Sequence, residues 1–141
     1  MKIVLAADGS EHTRVAARKV AGLLAWFKER PEVHVLHVRP PFPYPQAAIV
    51  TGKKAIDDYE REEATKALAP AEEELRRAGV AFEATYRIGD VAAEIVAFAE
   101  ARKSDLICMG AHGHGALKGV ALGSVTTKVI ALTKTPLLVV R

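Results

Sequence analysis

The chain has 141 residues and a mass of 15.2 kDa, so we expect one domain over residues 1–141. Its 50% hydrophobic and 26% charged residues exclude a disordered chain, and no uncharged run is long enough to span a membrane. The net charge of +3 is too small to indicate nucleic acid, but residues 101–141 carry six basic groups against one acid, which favours a small anion. The single cysteine, Cys108, excludes an internal disulfide. We expect a cytoplasmic protein with neither a membrane nor a nucleic-acid partner.

The start of the sequence predicts a strand, a helix and a second strand. Residues 1–7 are an almost continuous apolar run, typical of a strand that is buried on both faces. Ser10 is a favourable N-cap, and apolar residues then recur at helical spacing as far as Phe27. Residues 33–38 predict the second strand. Trp26 is expected in the core or at the rim of the helix.

The next two segments predict a loop and a long helix. Residues 39–52 contain four prolines and cannot form regular structure, so we interpret them as a loop that covers a site or contacts a partner. Residues 53–78 are charged and carry an apolar stripe at helical spacing. Pro70 lies inside this segment and predicts a kink or a break, because it removes an intrahelical hydrogen bond. The acidic residues between Asp57 and Glu74 are expected to face solvent.

The rest of the sequence continues the alternation of strands and helices. It predicts a strand over residues 80–87, a helix capped by Asp90, a strand over 105–110, a glycine-rich loop over 111–122, a helix over 124–132 and a strand over 137–140. Such an alternation requires right-handed crossovers and a parallel sheet. We predict an α/β fold, Rossmann-like, with five parallel strands in the order 3-2-1-4-5 and helices on both faces.

The predicted ligand site lies beyond the carboxyl ends of strands 1 and 4, where sheets of this order bind ligands. Asp8 follows the first strand, and Gly110 ends the fourth. The glycine-rich loop therefore falls at the ligand-binding edge of the sheet.

Four features of this loop favour a phosphate cradle. Its glycines allow positive φ and let an anion approach amide hydrogens without a Cβ in the way. Gly123 opens a helix whose first amides attract negative charge. Ser124, Thr126 and Thr127 place three hydroxyls in or beside the first turn, and Lys118 supplies a cation. The alternative is that the glycines only make a tight, flexible connection.

The loop lacks the signatures of two other nucleotide-binding classes. It contains no G-x-x-x-x-G-K-[ST] sequence, which excludes the phosphate loop of P-loop enzymes. Its glycines at 113, 115 and 119 miss the dinucleotide fingerprint by one residue, and they follow the fourth strand rather than the first. The sequence also shows no Ser-His-Asp order and no glycine elbow around a nucleophile, so it indicates a binding site without catalytic machinery.

The spacing Gly110-x-x-Gly113, nine residues, then Gly123-Ser124 resembles the G-2x-G-9x-G-[ST] motif of the universal stress proteins, in their ATP-binding branch. The segments at residues 3–10, 36–38, 89–90 and 135–140 are also similar to that family. The resemblance covers essentially the whole chain, and the glycine spacing is its most specific part.

The resemblance implies a bound ATP with Mg²⁺ or Mn²⁺ on its phosphates and no metal ligand from side chains. By resemblance, Asp8 and the backbone near Val38 hold the adenine end, and the loop from His112 with the following helix start cradles the phosphates. His114 departs from the small polar or arginine residues of many relatives. The residues implied to bind ATP are Ala7, Asp8, Val38, Met109, Gly110, His112, Gly113, His114, Gly115, Gly123, Ser124, Val125 and Thr126.

The resemblance also implies a homodimer through residues 137–140, which otherwise form an exposed strand edge. It implies a regulatory protein of the stress response that binds ATP, with at most weak hydrolysis. Two alternatives stay open. One is a slow ATPase or phosphotransferase on the same site; the other is a partner-interaction module that works through the proline-rich loop and the last strand, with nucleotide incidental.

Overall fold

Strands and helices alternate in the predicted order along the chain. The structure, a computed structural model, describes residues 1–41, 52–114 and 122–141. Its elements are β1 (Lys2–Ala7), α1 (Glu11–Leu24), β2 (Glu32–Arg39), α2 (Lys53–Arg77), β3 (Glu83–Ile88), α3 (Val91–Ala101), β4 (Leu106–Gly110), α4 (Ser124–Leu132) and β5 (Leu137–Val140). Most of the predicted proline-rich loop falls outside the described residues, as does the middle of the glycine-rich loop.

The five strands form one parallel sheet in the order β3-β2-β1-β4-β5, which confirms the predicted fold. β1 lies in the centre, with Leu5 opposite Val35 of β2 and Cys108 of β4. Because β1 and β4 are neighbours and parallel, the segments that follow them meet at the carboxyl edge of the sheet. This edge is where the sequence predicts a ligand site.

Apolar side chains cover both faces of the sheet, because successive side chains of a strand point to opposite faces. On one face, Leu5 packs in a core with Val20 of α1 and Leu75 of α2. On the other face, Leu36 packs with Phe98 of α3 and belongs to a separate core that α4 completes. Helices therefore lie on both faces, as predicted.

The end of α1 differs from the prediction. The helix stops at Leu24, and the amides of Trp26 and Phe27 donate to carbonyls three residues back, in a tightened last turn. Trp26 is 83% exposed, so its expected place in the core or at the helix rim is wrong. Helical spacing of apolar residues predicted a longer helix because it does not show where the backbone hydrogen bonds change from an α-helical to a 3₁₀ pattern.

The start of β3 also differs from the prediction. The amide of Val80 donates to the carbonyl of Leu75 at 2.9 Å and so still belongs to the turn that closes α2. β3 therefore begins at Glu83 rather than at residue 80.

α2 runs unbroken through Pro70, so the expected break is wrong, and a kink at this residue stays a prediction. A proline has no N–H group, and the helix continues without the hydrogen bond that this residue would otherwise donate to Lys66. In the described ranges, each helix is too short or too polar to traverse a bilayer.

Two acidic residues of α2, Glu60 and Glu74, are buried, although the acidic stretch was expected to face solvent. The side chain of Glu74 is 5% exposed and forms ion pairs with Arg14 and Arg18 of α1 and with Arg77 of its own helix. The hydrogen bond from Arg18 outweighs burial and, with the charges of Arg18 and Arg77, lowers the pKa of Glu74 to about 2. Glu74 therefore joins α1 to α2 as a carboxylate.

Candidate functional site

A cavity of about 560 Å³ lies at the carboxyl edge of the sheet, beyond the ends of β1 and β4. This volume is typical of small-ligand sites, which span roughly 300–1,000 Å³. Every predicted site residue that the structure describes lines it: Ala7, Asp8, Val38, Met109, Gly110, His112, Gly113, His114, Gly123, Ser124, Val125 and Thr126. Gly115 lies outside the described residues. The fold brings the predicted set together, and ligand binding by it stays a prediction.

One wall of the cavity is apolar. β2 contributes Leu36 and Val38, α3 contributes Val91 and Ile95, and β4 contributes Met109. The polar lining comes from the turn after β1, the loop after β4 and the start of α4. The cavity therefore suits a ligand with an apolar body and a polar tail.

Asp8 is the one acidic residue among the described residues that line the cavity. Its Oδ1 accepts hydrogen bonds from the amide of Ser10 at 2.9 Å and from the hydroxyl of Thr13 at 2.7 Å. Burial raises the pKa of this carboxyl, but the hydrogen bonds from Ser10 and Thr13 and the nearby His114 ring together lower it below its usual range. Asp8 is therefore a carboxylate at neutral pH.

The glycines after β4 allow close approach between segments. A Cβ at Gly113 would overlap Oδ2 of Asp8, and a Cβ at Gly110 would lie 2.7 Å from the Cβ of His12. A Cβ at Gly123 would lie 3.3 Å from the main chain of the loop. None of these three glycines uses the positive φ that glycine allows. A Cβ at Gly110 or Gly113 would force a neighbouring group to move, and a Cβ at Gly123 would make a tight contact.

α4 begins without a side-chain cap. Ser10 caps α1 and Asp90 caps α3, each by accepting a hydrogen bond from an amide of the first turn, whereas the N-cap of α4 is Gly123. The amides of a first helical turn have no partner within the helix, and residues 124–126 line the cavity. The positive end of the α4 dipole therefore lies at the cavity wall, where it attracts an anion.

Two of the three hydroxyls expected to hold a phosphate are used within the protein. The hydroxyl of Thr126 donates to the carbonyl of Gly110 at 3.1 Å, and that of Thr127 donates to the carbonyl of Gly123 at 3.0 Å. These bonds hold the glycines against the start of α4. Ser124 is exposed and lines the cavity, so its hydroxyl is the one placed for a ligand.

Histidines surround the glycine end of the cavity. Nε2 of His114 lies 2.8 Å from the carbonyl oxygen of Asp8 and donates to it, because a carbonyl only accepts. The side chain of His114 therefore joins the loop after β4 to the turn after β1. His112 lines the cavity, and its ring centre lies 5.3 Å from that of His12 in α1. Lys118, the expected cation, lies outside the described residues.

The sequence reasoning missed six lining residues, which are Ala6, Thr13, Leu36, Val91, Ile95 and Leu122. The apolar spacing of Val91 and Ile95 indicated core packing, and a periodic pattern does not distinguish a core from an apolar cavity wall. Thr13 did carry a signal, since it stands three residues after Ser10, the position whose amide an N-cap binds.

Known proteins are similar to the chain over its whole length. A model of the Universal stress protein family matches residues 1–141. Universal stress protein MJ0531 of Methanocaldococcus jannaschii is 33% identical over 140 residues, which cover 99% of this chain and 81% of that protein. The solved structure of MJ0577, from the same organism, superposes with a TM-score of 0.81 at 31% identity and covers 99% of this chain and 94% of that one.

A universal stress protein solved in complex with cAMP has the same fold, with a TM-score of 0.69 at 23% identity over 100% of this chain and 96% of that one. The family match covers residues 1–141 and so includes the glycine segment after β4. The chain belongs to the universal stress protein family.

Proposed function

We propose that the chain is a regulatory protein that binds ATP in this cavity, with the phosphates at the start of α4. The uncapped first turn of α4 carries the proposal, because its residues 124–126 line the cavity and its N-cap packs against the loop at Gly113. An anion at this point meets main-chain donors and the positive end of a helix dipole. The glycine spacing of the ATP-binding branch falls at these same positions.

The apolar wall supports an adenine ring on the β2 side of the cavity. Leu36, Val38 and Met109 offer the flat, apolar contact that the faces of a purine require. The cAMP complex shows that this fold holds an adenine nucleotide in another protein. At 23% identity that likeness concerns the fold alone, so the case for this chain rests on its own cavity.

Asp8 favours a nucleotide that arrives with a divalent cation. By resemblance Asp8 belongs at the adenine end, but its carboxylate lies against Gly113, at the end proposed for the phosphates. A carboxylate repels phosphate, and the described lining holds no lysine or arginine to compensate. A Mg²⁺ or Mn²⁺ ion on the phosphates would remove this repulsion and would neutralise charge at the phosphate end.

The side chains do not build a complete cage for that cation. In the parts of the chain that the structure describes, no three His, Cys, Asp or Glu side chains are grouped to hold a metal ion. The residues present therefore fit a cation held mainly by phosphate oxygens, which is how Mg²⁺ usually binds with nucleotides.

The arrangement of the site favours binding of ATP without hydrolysis. Asp8 is the one carboxylate among the described lining residues, and its Oδ1 is engaged by Ser10 and Thr13. Occupancy of such a site follows the nucleotide supply of the cytoplasm. We propose that the protein acts in the stress response and that the presence or absence of bound ATP regulates this role.

We also propose that the protein is a homodimer through β5. β5 is an edge of the sheet and pairs only with β4 in the described chain. An unpaired parallel-sheet edge readily pairs with another strand. The β5 strand of a second copy of the chain would supply hydrogen-bond partners for this edge.

Isothermal titration calorimetry with ATP and Mg²⁺ tests the proposed function. We expect saturable one-to-one binding, and weaker binding of AMP, because AMP lacks the phosphates that reach α4. Phosphate release over several hours from the same sample separates binding from slow hydrolysis. Absence of any binding heat at millimolar ATP would overturn the proposal.

A further inference from the structure

We propose that His114 couples ATP binding to pH, so that the cavity holds ATP more tightly when this ring carries its second proton. The inference rests on the proposed ATP binding and adds regulation to it. His114 lines the cavity at its glycine end and is exposed, so protons from solvent reach its ring. Histidine gains and loses this proton close to physiological pH.

One hydrogen bond holds the His114 ring in place in both of its charge states. Nε2 lies 2.8 Å from the main-chain carbonyl oxygen of Asp8, and a carbonyl oxygen only accepts, so Nε2 carries a hydrogen. In the neutral ring the other nitrogen, Nδ1, then has the lone pair that takes up the second proton. Protonation therefore adds a positive charge without breaking the bond to Asp8.

The ring stands next to the proposed phosphate position. His114 directly follows Gly113 in the chain. A Cβ at Gly123, the N-cap of α4, would lie 3.8 Å from the main-chain nitrogen of Gly113. A phosphate at the first turn of α4 would therefore lie beside the residue that precedes His114, where a charge on the ring acts at short range.

The charge of His114 has little competition in this cavity. The described lining contains no lysine or arginine, and its titratable side chains are Asp8, His112 and His114. The described lining residues from β2, α3, β4 and α4 add no titratable group. His12 of α1 contacts the ring of His112 but does not line the cavity. One added positive charge therefore changes the electrostatic environment of a bound phosphate substantially.

The pKa of Asp8 shows that the charge of His114 acts at this end of the cavity. Burial raises the pKa of the Asp8 carboxyl, and hydrogen bonds from Ser10 and Thr13 lower it. The positive charge of His114 lowers it further, to a net value below the usual range, so Asp8 stays a carboxylate around neutral pH. Protonated His114 offsets the repulsion between this carboxylate and phosphate. ATP affinity should therefore rise as the pH falls through neutrality, and by linkage ATP binding should take up protons.

Calorimetric titration of the whole protein with ATP at saturating Mg²⁺ tests this coupling. We expect the wild type to bind ATP at least about fivefold more tightly at pH 6 than at pH 8. Titrations at pH 7 in two buffers with different ionisation enthalpies measure the protons exchanged. We expect a net uptake of protons with each ATP bound.

Substitutions at position 114 separate the charge from the hydrogen bond. His114→Gln keeps an amide that can donate to the Asp8 carbonyl but carries no charge, so its affinity ratio between pH 6 and pH 8 should fall below about twofold. His114→Lys is charged at both pH values, so it should show little change between them. The matched control is His12→Gln, which removes a histidine outside the cavity lining and should keep the wild-type ratio. Protonation of ATP itself is common to all four proteins and cancels in the comparison.

The outcomes separate the two proposals. Equal ATP affinity of the wild type at pH 6 and pH 8, or a His114→Gln variant with the wild-type ratio, overturns the inference and leaves ATP binding standing. If His114→Gln binds no ATP, His114→Lys decides, because a lysine variant with the wild-type ratio also overturns the inference. Absence of ATP binding by the wild type at both pH values overturns the proposed function and the coupling together.

Discussion

Gly113 shows how one missing Cβ shapes the candidate site. The loop after β4 passes so close to the turn after β1 that a side chain at 113 would overlap the Asp8 carboxylate. The sequence predicted a glycine with special freedom of φ, but the structure gives it ordinary φ and a contact in which any Cβ would displace the Asp8 carboxylate. The need for glycine at position 113 therefore depends on where the loop after β4 meets the turn after β1, two segments that are far apart in the sequence.

Gly113→Ala should therefore weaken ATP binding by at least about tenfold, or ~1.4 kcal/mol, because the added Cβ pushes apart the loop and Asp8. The measurement is calorimetric titration. Gly22→Ala is the matched control, because a Cβ at Gly22 in α1 meets nothing within 4 Å. It should keep wild-type ATP affinity and add roughly 0.5–1 kcal/mol of stability. Wild-type affinity in Gly113→Ala would contradict the tight-contact explanation.

Glu74 gives a residue-level prediction about pH. Its pKa is about 2 in the folded protein against an ordinary value of 4.5, so its stabilising effect is complete above that ordinary value and is lost as the pH falls towards 2. We expect Glu74→Gln to lower the melting temperature clearly at pH 7 and much less near the folded pKa, measured by circular dichroism.

The neighbouring Glu73 provides the comparison for Glu74. Its side chain is 54% exposed and pairs with Arg14, so Glu73→Gln should change the melting temperature little at either pH. Equal effects of the two substitutions at pH 7 would show that burial of Glu74 does not matter.

Among the elements, the turn after β1 depends on α2. Gly9 has φ of +83°, and a Cβ there would lie 3.0 Å from the Cα of Ala67, in the helical turn before Pro70. Gly79 also has a positive φ, of +66°, but a Cβ there meets nothing within 4 Å. The two glycines thus separate the cost of a left-handed backbone from the cost of a steric clash.

Gly79→Ala should lose roughly 1–2 kcal/mol of stability, the cost of a left-handed conformation, and Gly9→Ala should lose distinctly more. The free energies of unfolding in urea measure both. Equal losses of unfolding free energy in Gly9→Ala and Gly79→Ala would mean that the turn after β1 can move away from α2 at no cost in stability.

The start of α4 gives a second prediction at the scale of elements. In Ser124→Asp a negative charge enters the first turn, so we expect about 0.3–1 kcal/mol of added stability from the helix dipole. The same charge repels phosphate, so ATP affinity should fall by about tenfold. Thermal melting and calorimetry measure the two effects.

The charge-matched control for Ser124→Asp is Ala97→Glu on the exposed side of α3, which should leave ATP affinity unchanged. Unchanged ATP binding in Ser124→Asp would place the phosphates elsewhere.

For the whole molecule, the sequence predicted most of the layout because strands, helices and caps follow local patterns. Ser10 and Asp90 cap their helices, and α4 and β5 have their predicted bounds. The strand order followed from a general rule for parallel sheets. The pattern did not predict the contact of His114 with Asp8, which lie 106 residues apart, because nothing local encodes it.

The same limit applies to the candidate site. Sequence spacing and family resemblance found all the described polar lining except Thr13, yet could not assign its hydroxyls. Thr126 and Thr127 looked like ligands for phosphate because they stand near Ser124, but their side chains bond to main-chain carbonyls. The three-dimensional structure is needed to show which main-chain carbonyls these two hydroxyls can reach.

The dimer is a prediction about the assembled molecule. The carbonyls of Pro136 and Val140 bond to β4, so by strand alternation the amide of Val139 points outward from the sheet edge. We expect light scattering to give a dimer, about twice the 15.2 kDa of one chain. Val139→Pro removes that outward amide and should give a monomer. A wild-type monomer at micromolar concentration would rule out this assembly.

In the proposed complex, the main-chain amides of Gly113 and residues 124–126 receive the phosphates of ATP. Nuclear magnetic resonance of the ¹⁵N-labelled protein tests it most directly, by following each amide during titration with ATP and with adenosine. We expect ATP to shift these amides strongly and adenosine to shift them little, while both ligands affect the amides of the apolar wall. Amides at 113 and 124–126 that stay unshifted at saturating ATP would contradict it.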